Sequence, residues 1–220
     1  MSQFIAAAAG LASAFRPLAA ALALAAAAAL AAATGARADD AAERHVQGIL
    51  DEAAPALDAP SREAMLDGIA ALVDKHVDLR RVGRFTLGQY ARQMTEAQAE
   101  VFYPLFTEYA TLVYQQTLAD YSGQRLEVTG SIDRSARDII VNSKIVDARP
   151  GDQFADLVVH WRVYRSRDGD MTVVDAGANN VWLAIEQRSQ FTSVIANNGG
   201  GAKGVDALIE QLKTQVEGAS

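Results

Sequence analysis

The spacing of apolar residues changes twice along the chain, and these two changes restrict the fold more than any other feature of the sequence. From residue 41 to residue 118, apolar residues recur with the spacing of amphipathic helices. From residue 125 to residue 176 they alternate with polar residues, as in half-buried strands. The helical spacing returns at Val181. Helices on either side of a run of consecutive strands predict an α+β fold with an antiparallel sheet.

The strand-rich middle of the chain divides into four segments, which are "RLEVTGSI", "DIIVNSKIV", "FADLVVHWRVYRSRDG" and "DMTVVDA". A turn at Asp168 and Gly169 is predicted to join the last two segments. Alternation in the third segment places Val159, Trp161 and Val163 on one face and more polar residues on the other. We therefore predict a twisted four-stranded antiparallel sheet with one apolar and one amphipathic face.

The helix that follows residue 95 has more apolar surface than a core-facing helix requires. Thr95 and Gln98 form a capping-box pattern, which predicts a helix start at Glu96. One stripe has helical spacing and consists of Phe102, Leu105, Phe106, Tyr109, Leu112 and Val113. A flanking band, in which tyrosines predominate, consists of Tyr103, Ala110, Tyr114, Leu118 and Tyr121. Two bands indicate that the helix is covered on more than one side or borders apolar material that is not protein.

Three further residues mark where helices begin, bend and end. Ser61 has the residue type and position of an N-cap for the helix that follows it. Pro104 lies inside the helix with two bands and predicts a kink, because proline lacks the backbone N–H and crowds the preceding turn. Gly123 is predicted to stop that helix in a left-handed conformation.

The first 38 residues have the composition of an export signal. They are rich in alanine, and Arg16 and Arg37 are their only charged residues. Ala36, Arg37 and Ala38 form a small-x-small pattern typical of signal-peptidase sites. We predict a cleaved secretory signal peptide over residues 1–38 and a single domain over residues 39–220. An uncleaved membrane anchor is the alternative, because the apolar stretch approaches the length of a membrane span.

Charge and cysteine content exclude several classes of function. The formal net charge of −7 becomes −9 once the two arginines of residues 1–38 are removed, so the surface repels phosphate backbones and no nucleic acid is expected as a partner. The densest basic cluster, "DLRRVGR", is interpreted as a solvated helical face. The absence of cysteine from the sequence excludes disulfides, thiolate metal sites and cysteine nucleophiles.

The sequence offers few groups for catalysis or metal binding. Its three histidines, His45, His76 and His160, lack the paired spacing of a metal site, and no nucleophile elbow or nucleotide-binding motif occurs. The segment "GGGAKG" is interpreted as a helix-breaking loop, because it follows a helix and Lys203 is followed by glycine. We therefore predict no catalytic residue, no metal and no cofactor apart from a bound ligand.

Two charged residues leave alternatives open. Asp175 lies on the last strand and is either a base with a raised pKa in a cavity or a structural group that caps a helix or pairs with an arginine. Arg188, within "EQRSQF", is either a contact for a lipid head group or an ordinary surface ion-pair partner.

Three longer segments, taken together and in order, resemble the MlaC family of periplasmic phospholipid-binding proteins, also called toluene-tolerance auxiliary proteins. They are "TLGQY", "TEAQAEVFYPLFTEYATLVYQQTLADYSGQRLEV" and "VVDAGANNVWLAIEQRSQFTSVIANNGGGAKGVDALIEQL". The resemblance extends over residues 60–215. The sequence departs from the family pattern where "NNVW" replaces the usual E-G-V-S and where Pro104 replaces a helix-forming residue.

The resemblance implies a soluble, non-enzymatic carrier that holds lipid acyl chains in an apolar cavity between helices and sheet. It also implies lipid exchange with the MCE-domain subunit of an inner-membrane ABC transporter and with an outer-membrane lipoprotein complex, in support of outer-membrane lipid asymmetry. A hopanoid-associated, HpnM-like branch has the same scaffold, so a hopanoid-type lipid is an alternative cargo. Two other interpretations are a cavity-based isomerase or hydrolase with Asp175 as base, and a non-catalytic adaptor of an envelope complex.

The lipid-binding residues that the resemblance implies come from the helix with two bands, the last two strands and the first part of the following helix. They are Phe102, Phe106, Tyr109, Val113, Val159, Trp161, Val163, Val173, Trp182, Leu183, Arg188 and Phe191.

Overall fold

The computed structural model describes residues 39–118, 125–146, 157–178 and 181–219. Within these ranges the chain forms six α-helices, one 3₁₀-helix and five strands. The helices are α1 (Asp40–Leu57), α2 (Arg62–His76), α3 (Leu79–Thr86), the 3₁₀-helix (Gly88–Arg92), α4 (Glu96–Leu118), α5 (Leu183–Asn197) and α6 (Gly201–Ala219). The strands are β1 (Leu126–Ser135), β2 (Asp138–Ile145), β3 (Val158–Arg165), β4 (Met171–Ala178) and β5 (Val181–Trp182). The predicted signal peptide and the helix stop at Gly123 lie outside the described residues.

The sheet is an antiparallel meander in which each strand pairs with its neighbours in sequence, in the order β1-β2-β3-β4-β5. The α+β class is confirmed, but the predicted count of four strands is wrong. The additional strand, β5, pairs Trp182 with Gly177 and Val181 with Ala178. Its two residues are too few to show an alternating pattern, and the helical spacing that begins at Val181 conceals them.

Local side-chain hydrogen bonds set the helix starts as the sequence predicts. The Ala64 backbone N–H donates to Ser61 Oγ over 3.1 Å at the start of α2. At the start of α4 the Thr95 N–H donates to Gln98 Oε1 over 3.0 Å, and the Gln98 N–H donates to Thr95 Oγ1 over 3.2 Å, which completes the capping box. The helix α4 continues through Pro104 as a single element.

The two faces of the sheet have different partners. One face packs against α1, where Ile139, Val141 and Val163 form a buried cluster with Ala42 and Val46 of the helix. We call this cluster the sheet core. The opposite face includes His160, Arg162 and Asp175, because Arg162 pairs with Asp175 across β3 and β4. We call it the polar face, and it is linked to α5 because the Ala184 N–H donates to Asp175 Oδ1.

A second and larger cluster is formed by the helices α2 to α6 together with the 3₁₀-helix. We call it the helical core, and its largest fully buried members are Phe102, Phe106, Phe191, Ile69, Leu87, Ile195, Leu208 and Leu212. Among the described residues, no strand residue belongs to it and it shares no residue with the sheet core. The protein therefore has two hydrophobic centres.

Candidate functional site

One end of the sheet exposes an unusual number of apolar side chains. The pairing of Val158 with Lys144, and of Ala178 with both Val159 and Val181, brings the end of β2, the start of β3 and β5 to the same end of the sheet. The large apolar residues exposed there are Val146, Val158, Val181, Leu183 and Ile185. We call this set the apolar rim. Val181 is 50% exposed and Ile185 is 47% exposed, so the rim is a concentration of exposed apolar residues and not an isolated surface residue.

The apolar residues of α4 differ in burial, and the difference does not follow the two bands predicted from the sequence. Phe102 and Phe106 are fully buried, whereas Val113 and Tyr114 are only partly buried. Tyr109 is also partly buried, and its hydroxyl donates to Gln187 Oε1 of α5 over 2.9 Å. Burial therefore does not separate the two predicted bands, since Ala110 of the flanking band is buried whereas Tyr109, Leu112 and Val113 of the first stripe are partly buried. We call Tyr109, Leu112, Val113 and Tyr114 the partly buried band of α4.

Three of the predicted lipid-binding residues lie within the helical core. Phe102, Phe106 and Phe191 are almost completely buried, and the rings of Phe106 and Phe191 meet edge to face with centroids 6.1 Å apart. Tyr109 borders this group, since its ring centroid lies 5.9 Å from that of Phe191. The phenylalanines are thus packed against other protein side chains, which gives α4 and α5 a fixed separation.

Four more of the predicted residues lie on β3 and β4, on the apolar face of the sheet. Val163 is fully buried in the sheet core, and Trp161 packs against that core while its indole N–H donates to Ser143 Oγ over 2.9 Å. Val159 lies on the same face two residues away, and Val173 pairs with Val163. This apolar face is occupied by α1, which the alternation of the strand alone could not indicate.

Trp182, Leu183 and Arg188, three further predicted residues, lie on β5 and the first part of α5. Leu183 belongs to the apolar rim, and the ring of Trp182 is tilted against His160 with centroids 5.9 Å apart. Arg188 lies on the same helix, with its guanidinium carbon 5.0 Å from the ring centroid of Phe85. The structure therefore brings Phe102, Phe106, Tyr109 and Phe191 together through ring contacts, whereas Trp182 and Arg188 contact different residues, His160 and Phe85.

A basic groove is the feature that sequence reasoning missed. It has a volume of about 490 Å³ and is lined by Arg81, Arg84, Arg92 and Arg188, together with Phe85, Gly88, Gln89 and Ala91. The guanidinium carbon of Arg81 also lies 3.6 Å from the ring centroid of Tyr164. The sequence contains one local sign of this groove, because residues 79–95 include four arginines and no acidic residue. The interpretation of "DLRRVGR" as a solvated helical face considered only residues up to Arg84.

Asp175 is a buried carboxylate on the polar face and is 3% exposed. Its Oδ1 accepts a hydrogen bond from the Ala184 N–H over 2.9 Å, which confirms the predicted capping role at the start of α5. Its Oδ2 has no hydrogen-bond partner among the described residues, and burial raises the pKa of the carboxyl group. Burial also raises the pKa of Tyr114 to about 12, and the negative charge of Asp175 adds to that rise.

Replacing Asp175 with asparagine is expected to change how stability depends on pH. Because the folded-state pKa is raised, the carboxyl group contributes stability that is complete below its unfolded-state pKa and is lost as the pH rises through the folded-state pKa. Asparagine keeps an oxygen for the Ala184 N–H but cannot ionise. The free energy of unfolding of Asp175→Asn relative to wild type should therefore increase from about pH 4 to about pH 8 in urea titrations. A difference that stays constant over this range would contradict the raised pKa.

Other polar groups of the described residues do not assemble a metal centre. His76 Nε2 lies 2.9 Å from Glu52 Oε2, and the rings of His45 and His76 meet edge to face, but the described ranges hold no cluster of three or more potential metal ligands. Nor does any helix in the described part of the chain combine the length and apolar character needed to cross a bilayer.

Comparisons relate this fold to known proteins. The family model described as MlaC protein matches residues 43–214. A solved structure of a phospholipid-binding protein from Ralstonia solanacearum, in complex with a phospholipid, has a TM-score of 0.65 and 22% sequence identity with this chain. The match covers 80% of this chain and 97% of that chain, so the α+β architecture is shared over nearly all of that protein. Because the family model spans most of the sequence, the chain belongs to the MlaC family.

Proposed function

We propose that this protein is a periplasmic lipid carrier, and that acyl chains enter at the apolar rim and lie along the partly buried band of α4. The observation that carries the proposal is the rim itself, because exposed apolar residues are concentrated at one end of the sheet beside α5. Extended apolar patches of this kind mark binding sites on water-exposed proteins. The phospholipid bound by the Ralstonia solanacearum protein supports the same class of ligand.

The physical need for such a carrier follows from the cost of exposing lipid chains to water. Each buried CH₂ group contributes about 0.8 kcal/mol, so two chains of about sixteen carbons would cost on the order of 25 kcal/mol to expose. A lipid therefore crosses an aqueous compartment only when its chains are covered. Covering chains requires apolar surface and an opening but no reacting group, so the proposed carrier is not an enzyme and uses no cofactor.

Membership in the MlaC family supports the proposal that the protein acts in the periplasm, between the inner and outer membranes. In this proposal the lipid is a phospholipid, with a hopanoid-type lipid as the alternative cargo. The protein exchanges it with the MCE-domain subunit of an inner-membrane ABC transporter and with an outer-membrane lipoprotein complex. Residues 1–38 act as a cleaved signal peptide, and the carrier starts at Asp39.

The test is a measurement of lipid load in wild type and in a rim variant. Protein recovered from the periplasm without detergent should carry about one lipid by native mass spectrometry, with a polypeptide mass that begins at Asp39. In the variant Ile185→Gln the lipid load should fall about tenfold, because an apolar contact worth about 1.5 kcal/mol is replaced by a polar group. Melting temperatures should match, since the side chain of Ile185 is largely in water.

Val101→Gln is the matched control, because Val101 is 44% exposed and Ile185 is 47% exposed, and both lie on helices. The control should keep the wild-type lipid load. Purified wild type without extractable lipid, together with an oligomer that forms only with a partner protein, would favour the adaptor interpretation. Turnover of a lipid substrate that Asp175→Asn abolishes would favour the enzymatic interpretation.

A further inference from the structure

We propose that the basic groove binds a single phosphate group, presented either by the head group of a carried lipid or as free phosphate. The head-group case rests on the proposed carrier function, whereas the free-phosphate case does not. The acidic net charge of the chain does not suggest such a site, because it is a sum over the whole sequence, whereas the four arginines Arg81, Arg84, Arg92 and Arg188 line one groove.

Three separate elements contribute to the groove and fix its shape. Arg81 and Arg84 come from α3, Arg92 from the 3₁₀-helix and Arg188 from α5. Gly88 has a positive φ of 56°, and a Cβ atom at this position would lie 3.1 Å from Arg188 Nε. Glycine at this position therefore lets α5 place the Arg188 side chain directly against the backbone of the groove.

Aromatic contacts hold two of the four guanidinium groups in place. The guanidinium carbon of Arg188 lies 5.0 Å from the ring centroid of Phe85 and that of Arg81 lies 3.6 Å from the ring centroid of Tyr164, so a cation–π contact favours the observed position of each group. The N–H groups at the edge of a stacked guanidinium remain available, and a planar fork of donors matches two oxygens of a phosphate. A site with pre-oriented donors loses little side-chain entropy on binding.

The positive charge of the groove is largely uncompensated. Asp78 pairs with Arg81, with Oδ2 3.2 Å from Nε. Among the described residues no carboxylate lies within ion-pair distance of Arg84, Arg92 or Arg188. Nearby guanidinium groups, those of Arg137 and then Arg81, lower the pKa of Tyr164, in agreement with a positive local potential. An anion in the groove would relieve the mutual repulsion of these groups.

The position and size of the groove suit a phosphate attached to a lipid. Arg188 follows Ile185 of the apolar rim by three residues, so the two side chains are neighbours on one side of α5. A lipid with its chains at the rim would need to extend its head group by about one helical turn to reach Arg188. The groove is open to solvent and has room for a phosphate group, since its volume is about 490 Å³.

The variant Arg84→Gln/Arg92→Gln tests the proposal, and Arg44→Gln/Arg62→Gln is the matched control. Both variants remove two exposed arginines, so they change the net charge equally, but only the first pair lies in the groove. Inorganic phosphate is titrated into each delipidated protein by calorimetry at constant ionic strength, after melting curves have shown that both variants are folded. In the second arm, binding of dihexanoyl phosphatidic acid is compared with that of dihexanoyl glycerol, which has no phosphate.

Saturable binding of one phosphate, weakened about tenfold in the groove variant but not in the control, supports a site for free phosphate. If inorganic phosphate does not saturate, a preference for phosphatidic acid that is lost only in the groove variant supports the head-group source. Equal losses in both variants, or no effect of phosphate in either arm, would overturn the proposal. Binding of an acidic peptide that only the groove variant loses, without any response to phosphate, would assign the groove to a protein partner instead. The lipid load of periplasmic wild type reports separately on the carrier function.

Discussion

Replacing Val113 with tryptophan is expected to remove most of the bound lipid while the delipidated protein melts close to wild type. Val113 lies on α4, is partly buried and belongs to neither the helical core nor the sheet core. If this part of α4 lines the proposed chain-binding space, the indole fills volume that an acyl chain would otherwise occupy. The lipid load by native mass spectrometry and the melting temperature after delipidation measure the two effects separately.

Leu208→Trp is the control for this prediction, because Leu208 is fully buried in the helical core. Close-packed interiors do not absorb extra ring volume, so this substitution should lower the free energy of unfolding by about 1 to 3 kcal/mol. Its effect on lipid load should be small under conditions where it remains folded. If Val113→Trp melted well below wild type and kept its full lipid load, Val113 would belong to a solid core and the proposed position of the chains would be wrong.

Replacing Gly204 with alanine is expected to destabilise the protein more than any surface substitution. An added Cβ would lie 2.3 Å from the carbonyl oxygen of Ile195 and 2.7 Å from its Cγ2. The clash is mainly with backbone at the end of α5, so it can be relieved only if α5 and α6 move apart. We expect a loss of about 3 kcal/mol or more in urea unfolding, at the upper end of overpacking effects.

Gly48→Ala is the matched control, since Gly48 lies in the interior of α1 and an added Cβ there would have no atom within 4 Å. Removal of backbone freedom from the unfolded chain should stabilise this variant by about 0.5 to 1 kcal/mol. Opposite signs for the same chemical change would locate the effect of Gly204→Ala at the α5–α6 contact. A stability of Gly204→Ala equal to that of wild type would show that this contact is loose.

The parts of the fold that could be predicted from the sequence depend on interactions between near neighbours in the chain. The N-cap at Ser61 and the capping box of Thr95 and Gln98 involve residues three positions apart, so their pattern contains the whole interaction. The strand β5 could not be predicted, because its pairing with Gly177 and Ala178 is set by the sheet and not by its own two residues.

The candidate site also depends on contacts between residues that are distant in the sequence, and these contacts could not be predicted. Alternation correctly placed Trp161 and Val163 on one face of β3, but it could not show that α1 covers that face. The family resemblance is confirmed by the family model. The position of the apolar rim could not be predicted, because it depends on the pairing register of β2, β3, β4 and β5. The basic groove joins Arg84 to Arg188, which are too far apart in sequence for any spacing rule to connect.

The separation of the helical core from the sheet core bears on how a carrier can both hold its cargo and give it up. Among the described residues the two cores share no buried residue but are joined by α1, since Ala42 and Val46 belong to the sheet core while Leu57 packs against the helical core. The link from Asp175 to Ala184 between the sheet and α5 is polar. An acyl chain that lies at the apolar rim and along α4, as proposed, would add apolar contacts between the sheet and the helices. Lipid binding would then make the molecule more rigid, and lipid release would make it more flexible. The lipid-free form would therefore be the more flexible one, and it could accommodate acyl chains of different length without changing the packing of the helical core or the sheet core.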